Sequence, residues 1–198
     1  MLHRMWYAAL RLLSRALFIP LFRIRVYGRE HIPEGGALLA SNHQSFLDPV
    51  IIGVGLPREV NYMARDDLFD NPLFSALIRS LNAFPVKRSA ADRNAIREAV
   101  ARLITGGLVV VFPEGTRNDS GKLLQIQGGV AVVAKKAKCP IVPVAIHGAR
   151  DAWPKRFLIF HFWPIKVAFG PPIDPSGSIE EITQKIETGI GHLMEKLA

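Results

Sequence analysis

The run Leu108-Val109-Val110-Val111-Phe112 holds five apolar residues with no polar interruption. Its length and β-branched content read as a strand. A strand that is apolar on both faces belongs inside a parallel or mixed sheet covered by helices on both sides. Ala37-Leu38-Leu39-Ala40 and Ile141-Val142-Pro143-Val144-Ala145-Ile146 are of the same kind, with Pro143 marking a bulge or a locally unpaired edge in the latter. Shorter strands are expected at residues 22–27, closed by Gly28, and at residues 61–64 and 84–86. Helical spacing fills the intervals. Residues 68–81 form one helix with Asn71-Pro72 as an internal restart. Ile96, Val100, Leu103 and Ile104 mark another, capped by Ser89 or Asp92 and stopped by Gly106-Gly107. Residues 128–138 make a helix with a basic end, residues 157–169 a hairpin around Pro164. Ile182, Ile186, Ile190, Leu193 and Leu197 mark a final amphipathic helix. This alternation predicts an α/β fold: a mixed, largely parallel central sheet flanked by helices. A length of 198 residues accommodates one such domain with a sizeable core.

In such sheets, ligands gather beyond the carboxyl ends of the strands. The segment following Ala37–Ala40 is Ser41-Asn42-His43-Gln44-Ser45-Phe46-Leu47-Asp48-Pro49, and a helix begins with Val50-Ile51-Ile52. Pro49 suits the first helical position and Asp48 the N-cap, where the residue before a proline leaves the helical region. On a continuous helix His43 and Asp48 would lie about 140° apart; in a turn they can meet. An Asp that accepts one imidazole N–H fixes the tautomer and frees the other ring nitrogen as a base. The spacing alone is a weak signal, and a cap at Asp48 with an ordinary loop histidine at His43 is the reading it favours.

Two further strand ends carry charge. Lys87-Arg88 follows residues 84–86, and Pro113-Glu114-Gly115-Thr116-Arg117 follows the all-apolar run. Arg88 and Arg117 suit a phosphate, because the guanidinium fork binds oxyanions bidentately. Gly115 allows close approach of backbone N–H groups to a ligand. Glu114 can hold a substrate hydroxyl or pair with an arginine, and a surface ion-pair network accounts for each residue taken singly. Lys87 and backbone N–H groups are candidates for stabilising an oxyanion. No Gly-x-Ser-x-Gly elbow is present, nor a Walker or dinucleotide glycine pattern.

The net charge is +8. Arg4, Arg11, Arg15, Arg23 and Arg25 fall in the first 25 residues, which contain no acid. Basicity at one end fits an anionic surface near the N-terminus rather than a nucleic-acid groove, and no nucleic-acid-binding signature occurs. Residues 2–19 read as a helix on which Arg4, Arg11 and Arg15 lie within about 40° of one another beside a wide apolar face. No apolar run reaches the ~18 residues of a membrane span. Residues 1–21 are therefore expected to form an amphipathic helix in the membrane interface, with anionic lipids as partner, and a helix packed on the domain is the competing expectation. The single Cys139 excludes an intrachain disulfide, and no Cys/His spacing fits a structural zinc site, so no metal is expected.

Taken together, four stretches resemble the motifs of the glycerolipid acyltransferase family. Asn42-His43-Gln44-Ser45-Phe46-Leu47-Asp48 is similar to its His-x4-Asp motif, and Phe84-Pro85-Val86-Lys87-Arg88 to its second. Phe112-Pro113-Glu114-Gly115-Thr116-Arg117 resembles its third and Ile141-Val142-Pro143-Val144 its fourth, all in family order. Pro85 and Lys87 stand where the family often has Phe and Asp. The resemblance implies an acyltransferase domain over residues 22–198. It implies direct acyl transfer from a thioester, on acyl-CoA or acyl carrier protein, to the free hydroxyl of lysophosphatidic acid. The product is phosphatidic acid for phospholipid biosynthesis, and no cofactor takes part. It implies His43 as base oriented by Asp48, and Arg88 and Arg117 on the acceptor phosphate. Glu114 and Gly115, with Thr116 beside them, fall on the glycerol part, and Pro143 shapes the acyl or acceptor site. The implied location is monotopic, on the cytoplasmic face of the plasma membrane. The alternatives are another lysolipid or glycerol-3-phosphate as acceptor, or a metal-dependent ester hydrolase.

Overall fold

A computed structural model describes residues 2–87, 92–118, 120–154 and 160–198. Among the described residues, seven strands form one sheet in the order β1-β7-β6-β2-β5-β3-β4. They are β1 (Arg25–Tyr27), β2 (Ala37–Ser41), β3 (Val60–Arg65), β4 (Ala83–Val86), β5 (Leu108–Val111), β6 (Ile141–His147) and β7 (Lys166–Phe169). Every neighbouring pair is parallel except β6 with β7. The expected mixed, largely parallel sheet is what forms.

The all-apolar runs occupy the centre for the expected reason. Leu38 and Leu39 point to opposite faces of β2 and both are fully buried. Leu39, Val110 and Val142 face α2 (Asp48–Gly55) and α1 (Leu2–Leu21). Leu38, Val109 and Ile141 face α4 (Arg93–Ile104), α5 (Gly129–Ala137) and α7 (Ile179–Leu197), while the single turn α6 (Ala149–Ala152) follows β6. Local signals set the ends of these helices. Asp92 caps α4 by accepting from the N–H groups of Asn94 and Ala95, and Ser178 with Glu181 closes a capping box on α7. Asn71 caps α3 (Pro72–Ser80), so the expected internal restart is the true start of that helix.

Pro143 leaves an unpaired edge, as its missing N–H requires. β2 pairs with β6 across Pro143 on one side. On the other, β7 pairs only from Val144 onward, and a lone bridge joins Ile141 to Ile173. The Pro143 carbonyl accepts from Gly170 N–H just beyond the end of β7. Above Pro143, α7 comes close at Gly189, where a Cβ would stand 3.1 Å from the proline Cβ.

Three local expectations are corrected. Residues 22–24 form a turn, with Arg23 at φ 45°, and only Arg25–Tyr27 is strand. The hairpin over residues 157–169 does not form: residues 160–165 are not strand, and β7 spends one edge on β6 and the other on β1. Residues 157–159 of that expectation lie outside the described residues. Asp48 is the first residue of α2 rather than its cap, and Pro49 is the second. Its carboxylate turns back into the preceding loop, where it meets stronger demands than the helix end makes.

α1 packs on the α2 face and is tied to it. Tyr7 is 3% exposed, and its hydroxyl accepts from Val60 N–H at 3.1 Å and from the buried Tyr62 hydroxyl. Arg11 donates to the Pro57 carbonyl at 2.7 Å. The opposite side of α1 carries exposed Met5, Trp6, Leu12, Leu13 and Leu17. The helix is thus both packed on the domain and amphipathic outward.

Candidate active site

β2, β3, β4, β5 and β6 run in the same direction, so their carboxyl ends share one edge of the sheet. That edge gathers His43 beyond β2, Arg65 at the end of β3, Lys87 beyond β4 and residues 113–117 beyond β5.

His43 and Asp48 meet across the turn. Nδ1 of His43 donates to Oδ2 of Asp48 at 2.8 Å. The carboxylate accepts and does not donate, so in the neutral imidazole the proton sits on Nδ1 and Nε2 carries the lone pair. The same Oδ2 accepts from the N–H groups of Gln44 at 2.6 Å and Ser45 at 2.8 Å. These three donors explain why Asp48 leaves the helix N-terminus uncapped. Asp48 is fully buried, whereas the His43 side chain is 18% exposed. The imidazole stacks on Phe112 with ring centroids 4.0 Å apart, which fixes its plane. Sequence pattern gave no sign of Phe112 in this role.

Arg117 lies over Phe46, its guanidinium carbon 3.5 Å from the ring centroid. Its Nη1 is buried without a hydrogen-bond partner among the described residues. Burial lowers the Arg117 pKa, the like charge of Arg65 lowers it further, and Asp48 opposes both. A guanidinium beside a second cation, with a donor to spare, has the chemistry to hold an oxyanion. Arg65 was not anticipated from sequence. It directly ends a short strand, the same signal that singled out Arg88 and Arg117, and its side chain is paired to Asp67 at 3.0 Å. Arg88 lies outside the described residues. Lys87 is exposed at the end of β4, which is registered against Arg65 through Val86.

The remaining candidates divide. Gly115 adopts φ 67° in the turn beyond β5, where a Cβ would meet the Gln127 amide at 2.7 Å. Thr116 is exposed beside it. Glu114 is buried, with both oxygens engaged by main-chain N–H groups: Oε1 by His43 at 2.8 Å and Oε2 by Leu124 at 3.0 Å. Desolvation raises its pKa, against the pull of those bonds, of Asn118 and of His43. Pro143 is not brought to this cluster; it packs beneath α7 in mid-strand. Cys139 is buried elsewhere, in the α5 and α7 core, and burial pushes its thiol up to about 11. It is therefore protonated and non-nucleophilic at neutral pH. Among the described residues no group of three His, Cys, Asp or Glu is placed to hold a metal.

Aromatic side chains flank the mouth. Phe46 packs against Trp153 and Trp153 against Phe160, with centroids 5.6 and 4.4 Å apart. Phe162 and Trp163 beyond them are exposed.

A family model described as Acyltransferase matches residues 23–147. A 1-acyl-sn-glycerol-3-phosphate acyltransferase of Bacillus subtilis (strain 168) is 32% identical over 127 residues, 63% of this chain and 63% of that protein. The enzyme of the same description from Pseudomonas aeruginosa is 27% identical over 183 residues, covering 89% and 70% respectively. The match thus spans less than two thirds of the Bacillus relative. The crystal structure of the 1-acyl-sn-glycerophosphate (LPA) acyltransferase PlsC from Thermotoga maritima superposes with a TM-score of 0.82 at 30% identity. It covers 96% of this chain and 79% of that one.

Proposed function

The chain belongs to the acyltransferase family, and from that premise we propose that it transfers an acyl chain from a thioester to the free hydroxyl of lysophosphatidic acid, forming phosphatidic acid. The observation that carries the reading is the juxtaposition of two parts. One is a His43–Asp48 pair at 2.8 Å with Nε2 left as base; the other is Arg117 with its unused buried donor. The base takes the acceptor hydroxyl proton as the oxygen attacks the thioester carbon. The C–S bond breaks, and the imidazolium returns the proton to the leaving thiolate. The step balances with donor and acceptor alone. General-base help of this kind is worth ~10²–10⁴ in rate. Arg117 and Arg65 bind the acceptor phosphate, with Arg88 and Lys87 following from the same strand ends. Gly115 and Thr116 line the approach to the hydroxyl. The inert Cys139 and the missing serine elbow both fit direct transfer without an acyl-enzyme. The anionic donor is acyl-CoA or acyl carrier protein.

The enzyme acts on the surface of an anionic bilayer. No helix among the described residues is long and apolar enough to cross a membrane. The exposed apolar side of α1 continues onto α3, because Trp6 Nε1 donates to Ser80 Oγ at 3.2 Å and α3 exposes Leu73, Phe74 and Leu77. Arg23 and Arg25 are exposed where α1 ends. A contiguous apolar surface of this kind beside cations is what an interfacial protein presents. The location that follows is monotopic, on the cytoplasmic leaflet of the plasma membrane, which supplies the anionic lipid.

The test follows thiol release from acyl-CoA by purified protein in detergent, with lysophosphatidic acid, glycerol-3-phosphate or no acceptor. Release that needs lysophosphatidic acid and vanishes in His43→Ala is expected. Release with glycerol-3-phosphate alone moves the acceptor, and release with none makes the protein a thioesterase.

A further inference from the structure

We infer that Glu114 acts through His43 rather than on the substrate: it is a positioning residue that holds the main chain of the base. The inference rests on the reading of His43 as base. It departs from the expectation that Glu114 faces the glycerol hydroxyls.

The imidazole is fixed in tautomer by Asp48 and in plane by Phe112. Neither contact places the Cα from which the ring hangs. That task falls to two side chains, Asn42 and Glu114, and to the main-chain N–H of Asn118. The main-chain ladder between β2 and β6 ends at Ser41 with Val144. One residue further, the Asn42 amide takes over: Oδ1 accepts from Ile146 N–H at 2.8 Å and Nδ2 donates to the Ile146 carbonyl at 3.0 Å. The chain is therefore pinned to β6 by a side chain, and the peptide of His43 is free to turn the other way. There its N–H donates to Glu114 Oε1 at 2.8 Å, and its carbonyl accepts from Asn118 N–H at 2.8 Å. Both main-chain groups of the base are thus held by the loop beyond β5.

Glu114 spends its remaining capacity on the same loop. Oε2 accepts from Leu124 N–H at 3.0 Å. Each of its two oxygens is taken by a main-chain N–H, and the residue is 6% exposed. A carboxylate placed to read a substrate hydroxyl would leave an oxygen to the cleft. This one instead joins the His43 turn to the segment at residue 124 through one buried group.

Glutamine is isosteric but cannot serve both sides. Its carbonyl can accept from one of the two N–H groups, and its NH₂ then faces the other donor. The base shifts relative to the bound hydroxyl, and displacements of about 1 Å cost up to about 10²-fold in turnover. Glu114→Gln should therefore lower kcat by at least about tenfold, leaving the KM for lysophosphatidic acid within about twofold. Glu114→Asp, which keeps the charge but shortens the reach, should give the same split and serves if the glutamine variant does not fold. In the His43→Ala background Glu114→Gln should change residual turnover less than about twofold, since a residue acting through the imidazole has nothing left to position.

A rise of tenfold or more in acceptor KM at unchanged kcat would return Glu114 to the substrate and overturn the inference. A full additive loss in the double variant would do the same. Normal turnover by His43→Ala alone would instead remove the base reading itself, an outcome read in a separate arm.

Discussion

Replacing Leu12, Leu13 and Leu17 together by glutamine removes the apolar side chains that α1 turns outward while keeping a good helix former at each position. The three are 70%, 64% and 53% exposed, so most of their surface still awaits burial. Full burial of a leucine is worth about 1.5–3 kcal/mol, and the exposed parts of the three together hold about 3–6 kcal/mol for a bilayer. At tenfold per 1.4 kcal/mol the substitution should weaken partitioning by about 10²–10⁴-fold. The assay is sedimentation with vesicles containing phosphatidylglycerol, paired with a thermal melt. The melt should move little, because most of each side chain is already exposed and none belongs to the core. Substitution is the right perturbation, since truncating residues 1–20 would also remove Tyr7 and leave Val60 N–H and Tyr62 without their buried partner. Binding within tenfold of the parent protein, with an unchanged melt, would refute the assignment of this face to lipid.

Arg117→Ala should raise the acceptor KM by tenfold or more with a smaller change in kcat, and Arg117→Lys should not restore it, because a lysine cannot present the planar fork; weaker donor binding alone would contradict the phosphate role. Tyr7→Phe removes the acceptor of the buried Val60 N–H and should cost about 1–3 kcal/mol in urea unfolding, whereas a loss below about 0.5 kcal/mol would mean that water replaces the hydroxyl. The Asp92 carboxyl is held below its ordinary value, first by the Lys87 N–H and then by the Ala95 and Asn94 N–H groups at the start of α4. Its contribution is present above the unfolded Asp range near about pH 4 and is lost as pH falls through the lower folded value. Asp92→Ala should therefore destabilise by about 1 kcal/mol at pH 7 and by much less at pH 2.5; equal losses at the two pH values would refute the charged cap.

Much of the fold was legible because its signals are local. The all-apolar runs became β2, β5 and β6, and the helical spacing of Ile96, Val100 and Leu103 became α4 with Asp92 as its cap. The proximity of His43 and Asp48 was also local, since both lie in one turn and their five-residue separation needs no distant partner. Where a local rule failed, a distant or competing contact outweighed it. Asp48 left its capping role because three donors in the preceding loop hold its carboxylate. Residues 160–165 made no strand because β7 had already filled both its edges.

The sequence by itself determined the sheet-and-helix alternation, the turn that joins His43 to Asp48, and the apolar, arginine-bearing character of α1. Only the tertiary structure decided which side of α1 is spent on the domain and which is left outward, because Tyr7 docks on β3 from 53 residues away. It alone placed Arg65 beside Arg117, turned Glu114 onto His43, and carried Pro143 away from the site to a seat under α7. The physical reason is common to all of these. Capping, periodicity and turn chemistry act within a few residues of chain, whereas the neighbours of a strand end depend on strand order, and β2, β5 and β3 become adjacent only when the sheet is assembled.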